Sequence, residues 1–102
     1  MIDPEDIGDI KIDVSRRLRR TRCAIGLQQF EFANEIGVGR STYNLIETGT
    51  RQITIQVVLA IASRFGITTD WILLGDPSGL RMDMHNKIRS IADSENANKL
   101  RK

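Results

Sequence analysis

The chain holds one cysteine, Cys23, and one histidine, His85, among its 102 residues. A single thiol makes no internal disulfide, and one thiol with one imidazole is too few for a metal site of ordinary type. Cys23 therefore reads as a small apolar residue, buried or half-buried. His85 falls on the last helix and is expected at the surface. No apolar run approaches the roughly 18 residues that span a bilayer, so no membrane partner is expected. The opening MIDPEDIGDI is acidic and lacks the basic start of a secretory signal. Together these absences point to a reducing, cytoplasmic setting. No serine, cysteine or carboxylate pair has a partner base or second carboxylate at catalytic spacing. No cofactor is implied, and the chain does not read as an enzyme.

Aromatic residues are also scarce, at 5%, and no segment alternates convincingly as a strand. The apolar 40% is mostly Ile, Leu, Val and Ala, balanced by 27% charged residues, which suits one small folded domain with a short appendage. The net charge of +2 conceals an uneven distribution. Asp3, Glu5, Asp6, Asp9 and Asp13 outnumber Lys11 at the start. Between residues 15 and 51, Arg16, Arg17, Arg19, Arg20, Arg22, Arg40 and Arg51 stand against Glu31, Glu35 and Glu47. A positive middle in a near-neutral chain is what a phosphate-contacting surface requires.

Asp3-Pro4-Glu5-Asp6 has the character of a helix start, but Gly8 soon weakens it, predicting a short or frayed turn in an acidic extension over 1–12. A firmer helix is expected from 13 to 24, with Val14, Leu18 and Ile25 on one face, ended by Gly26. A second runs over 28–36 with Phe32, Ala33 and Ile36 inward, stopped by Gly37, and a third over 39–47. Two short helices joined by so tight a turn cross steeply, as in a helix-turn-helix unit. Thr54 caps a fourth helix ending at Gly66, and Thr68 or Thr69 a fifth ending at Gly75, with Trp71 expected to plug the core. The fold class is all-α.

On the third helix, steps of about 100° set Gly39, Thr42, Tyr43 and Ile46 on one side. Arg40, Ser41, Asn44 and Leu45 fall on the other. That outer set is one forked cation, one hydroxyl, one amide and one methyl-bearing group. Arginine pairs with the two acceptors of guanine, asparagine with the donor and acceptor of adenine, and an apolar group meets the thymine methyl.

The run LQQFEFANEIGVGRSTYNLIETGTRQITIQVVLAIASRFGITTDWILLGD strongly resembles the phage-repressor-like helix-turn-helix family, that of Cro and the lambda and 434 repressors. Gln29, Ala33, Gly37, Ile46-Glu47 with Gly49, and the closing Asp70 to Gly75 carry the resemblance, with Arg22 and Gly26-Leu27 upstream. It covers residues 13–76. It implies a five-helix DNA-binding domain in which the third helix reads bases through Arg40, Ser41, Asn44 and Leu45. It further implies phosphate contacts by Gln28, Gln29, Thr48, Thr50 and Arg51, and an internal ion pair between Arg22 and Glu47. Gln28 and Gly39 stand where the family usually has Ser or Thr caps.

After Asp76-Pro77-Ser78-Gly79, Leu80, Met84, Ile88 and Ile91 repeat at helical spacing, followed by a polar tail from Asp93. Region 77–102 is therefore a C-terminal helix and tail, and its stripe is the leading candidate for a homodimer interface. The alternative for that stripe is packing within its own domain. The functional expectation is a sequence-specific regulator, a repressor, bound as a homodimer to a two-fold site on double-stranded DNA. The alternative is an antitoxin or adaptor-type module whose main partner is a protein, ordering the polar tail on binding.

Overall fold

The structure, a computed structural model, describes residues 4–100, and the side chains of residues 10–98. Six helices follow one another: α1 (Pro4–Ile25), α2 (Gln29–Glu35), α3 (Arg40–Glu47), α4 (Ile55–Phe65), α5 (Thr69–Leu74) and α6 (Met82–Leu100). No strand occurs among the described residues. The fold is all-α.

The inward positions anticipated from helical spacing make the core. Phe32 of α2, Tyr43 of α3 and Ile61 of α4 are fully buried, and Leu18 of α1 nearly so. Aromatic rings hold the middle together. Phe32 stacks on Phe65 at 4.8 Å and meets Tyr43 at 5.2 Å in a tilted arrangement. One side chain of α2 thus fastens both α3 and α4. Thr54 and Thr68 cap α4 and α5, their hydroxyls accepting the N–H of Val57 at 3.3 Å and of Trp71 at 3.0 Å. Trp71 packs at the core margin and donates its indole N–H to the Thr21 hydroxyl at 2.9 Å.

Two glycines are needed where they stand. Gly37, at φ 71°, makes the turn between α2 and α3, and its N–H bonds back to the Asn34 carbonyl at 3.2 Å. Gly49, at φ 80°, ends α3 against α1, where an added Cβ would sit 3.3 Å from the Ser15 hydroxyl.

Both ends of the chain depart from expectation. α1 runs unbroken from Pro4 through Gly8, so most of the supposed extension belongs to the first helix. One helical glycine costs about 1 kcal/mol, and the helix continues past it to Val14 and Leu18, which are buried in the core. Asp3, the first residue of that expected helix start, lies outside the described residues. α6 starts at Met82, after Leu80, and stays helical to Leu100, so the described part of the segment read as a polar tail is helix.

The expected dimer stripe is turned inward. Ile88 is buried, and Leu80 and Met84 pack against the core, with Ile91 half-buried. α6 lies along α1, and Arg20 donates to Glu95 at 2.9 Å across their seam. The stripe designated for a second subunit is covered by the chain itself, by the domain core and α1. Cys23, expected buried or half-buried, is exposed, and His85, expected at the surface, is half-buried. Ile88→Ala is expected to destabilise the monomer by about 3 kcal/mol, since it empties a packed site; urea unfolding at two protein concentrations measures this.

Candidate nucleic-acid interface

The exposed face of α3 follows from its register. Tyr43 and Ile46 are buried and Thr42 half-buried, whereas Arg40, Ser41 and Asn44 are exposed and Leu45 is 39% exposed. Leu45 thus has water, not core, over much of its surface. The four outward side chains and Gln29 line one shallow depression. Asp and Glu are absent from its lining, and it presents a guanidinium, a hydroxyl, two amides and methyl groups. These groups satisfy hydrogen-bonding edges and methyls and supply no catalytic base.

A hydrogen-bond chain fixes this face to the scaffold. Arg22 clasps Glu47 with two bonds, Nε to Oε2 at 2.8 Å and Nη2 to Oε1 at 2.7 Å. Its Nη1 donates to the Leu27 carbonyl at 2.7 Å. One guanidinium therefore ties α1, the α1–α2 connection and the end of α3, as the expected ion pair requires. Gln29 Nε2 donates to Glu47 Oε1 at 3.2 Å, and Asn44 Nδ2 donates to Gln29 Oε1 at 3.0 Å. Asn44 is thus held through one of its two amide N–H groups, with the other N–H and the Oδ1 acceptor free of protein partners. One donor and one acceptor therefore remain for a ligand, the combination that two-point recognition of adenine uses.

The pair carries the local electrostatics. Burial opposes charge on Glu47, but hydrogen bonds led by Arg22 outweigh it and hold the carboxyl below its ordinary range. The Arg22 pKa is raised, chiefly by its bonds to Glu47. Beside them the Tyr43 hydroxyl is buried without a hydrogen-bond partner, and burial raises its pKa.

Of the residues expected to meet phosphate, only Gln29 lines this depression. Gln28 is exposed at the N-cap of α2, where its N–H donates to Glu31 at 3.0 Å. Gly39, a cap with no side chain, precedes α3 in an extended conformation. Thr48 and Thr50 place their hydroxyls 3.1 Å apart just past α3. Gln29 and Thr48 share a polar groove with Arg16 and Arg19 of α1, whereas Arg51 borders a separate apolar groove with Ile10 and Leu73. The helical rhythm of Arg16, Arg19 and Arg22 is the signal that could have placed the first two beside Gln29. The other α1 arginines are structural. Arg20 meets Glu95, and Arg17 donates to the Ile72 carbonyl at 2.7 Å while burial lowers its pKa.

A tight turn, an α3 face of this composition and basic flanks define a class of protein that docks a helix on DNA. The family comparison agrees: a helix-turn-helix profile matches residues 18–72, and the chain belongs to the phage-repressor-like helix-turn-helix family of DNA-binding transcriptional regulators. Among its relatives is a cryptic phage CTXphi transcriptional repressor, RstR, of Vibrio cholerae. It is 31% identical over 77 residues, covering 76% of this chain and 69% of the relative. A propionyl-CoA carboxylase regulator of Cereibacter sphaeroides is 28% identical over 78 residues, covering 76% of this chain but 17% of that protein. No solved structure matches the chain. No described helix is long and apolar enough to cross a membrane, and no described His, Cys, Asp and Glu cluster could hold a metal.

Arg22→Ala strands a buried carboxylate and is expected to cost about 3 kcal/mol, measured by urea unfolding at neutral pH. Because the folded pKa of Glu47 is lowered, its contribution is complete above the unfolded carboxylate pKa and disappears as pH falls through the folded value. Stability is therefore expected to fall below about pH 4, with a shallower fall in Glu47→Gln.

Proposed function

We propose that the protein is a sequence-specific transcriptional repressor that lays α3 in the major groove and binds a two-fold operator as a homodimer. The observation that carries this reading is the outward quartet. Arg40, Ser41, Asn44 and Leu45 converge on one exposed depression, with Gln29 beside them. Arg40 reads guanine, Asn44 and Ser41 read polar edges, and Leu45 meets a thymine methyl. Gln28, Gln29, Thr48, Thr50 and Arg51, joined by Arg16 and Arg19, hold the backbone and set the register. The repressor role is supported by the name of the Vibrio cholerae relative.

The second copy needs a surface other than the α6 stripe. The apolar groove of Ile10, Ile53, Ile55 and Leu73 beside Arg51 is the seat we assign to it. Leu73 and Ile55 are both exposed in one copy, and the groove adjoins a residue of the DNA-facing flank. The protein-interaction alternative drew on a polar tail beyond Ile91; the described part of that segment is helical, and no observation favours the alternative over DNA binding.

Arg40→Ala is expected to weaken binding to the preferred sequence by about 1–3 kcal/mol and to relax specificity at one base pair per half-site. Equal loss on every sequence would remove Arg40 from base reading. Titrations at several salt concentrations are expected to give a steep slope, about 0.9 per phosphate contacted. Leu73→Glu is expected to turn a dimer into a monomer in sedimentation; an unchanged dimer would move the seam elsewhere.

A further inference from the structure

Phe30 is 48% exposed at the second position of α2. Phe32 and Ala33 point inward, so helical register throws Phe30 to the outside. There its ring lies beneath the Arg40 guanidinium, whose carbon is 5.8 Å from the ring centroid. Arg40 makes no ion pair among the described residues, and its N–H groups are not spent on protein acceptors. A π-face holds a cation without consuming its N–H groups, so the fork remains open to two acceptors. A freely rotating arginine would have to be ordered when it binds, at a cost in side-chain entropy.

We propose that Phe30 is a positioning residue for specificity: it pre-orders the Arg40 guanidinium over its ring and so strengthens discrimination at the base pair Arg40 reads. This inference rests on the base-reading role of α3 and adds to it a residue outside that helix. The ring also explains why an exposed phenylalanine stands here at all, on a surface where a polar residue would be better solvated.

The test is a double-mutant cycle on the full chain. The probes are a duplex enriched from a random DNA pool, the same duplex altered at the base pair sensitive to Arg40→Ala, and an unrelated duplex. Phe30→Ala is expected to weaken binding to the enriched duplex by about threefold, the scale of an exposed cation–π contact. The loss is expected to vanish in the Arg40→Ala background and on the altered and unrelated duplexes. Phe30→Leu, which keeps apolar bulk, is expected to behave like Phe30→Ala, and Phe30→Tyr to behave like the native chain. In the free protein, the Arg40 Nε–H proton is expected to carry an upfield ring-current shift that Phe30→Ala removes. A loss of equal size with and without Arg40, rescue by leucine, or absence of the ring-current shift would each overturn the proposal. Binding to no DNA at all would instead remove the regulator reading on which it rests.

Discussion

The clasp of Arg22 on Glu47 is the interaction on which the geometry of this domain turns. It is two-pronged and almost dry, with 12% and 3% of the two side chains exposed, and the same arginine also takes the Leu27 carbonyl. Three chain segments therefore share one guanidinium. A planar fork suits that task, since a lysine would supply charge without the paired geometry. Holding a carboxylate out of water is costly, and its offset depends on every bond being made. From Glu47 the chain of bonds passes to Gln29 and then to Asn44, so the buried pair reaches the solvent face of α3 through two amides.

The consequence is a division of labour within eight residues of helix. Tyr43 and Ile46 anchor α3 to its neighbours α1 and α2, Glu47 fixes its end, and the remaining side chains are released from core packing. A base-reading helix needs this division, because errors of about an ångström in its placement spoil two-point hydrogen bonds. The short turn at Gly37 and the close approach at Gly49 bracket the helix at either end.

Much of this was legible in the sequence because it depends on local periodicity. Helical register alone separates Tyr43 and Ile46 from Arg40, Ser41, Asn44 and Leu45, and the structure keeps that separation. The limits of α4 and α5 were legible through Thr54, Thr68 and the glycines after them. The ion pair was not derivable from spacing, since 25 residues separate its members, and it came from family resemblance. The ends of the molecule were misread for a related reason. A stripe such as Leu80, Met84, Ile88 and Ile91 announces that it must be covered, but not by what. Its cover is its own domain, whose core meets Leu80 and Met84 and whose α1 lies along α6. Phe30 was passed over because only tertiary placement brings Arg40 above it. Cys23 shows the general tendency of cysteines to be buried giving way to the simple fact of helical register.

The central claim is that α3 reads bases and that two copies do so together. Selection of bound duplexes from a random DNA pool tests it most directly. The expected result is an enriched motif made of two inverted half-sites, each with a strongly preferred guanine and a thymine within a few base pairs. Retention of DNA without any enriched sequence, or no retention even at low salt, would contradict the account.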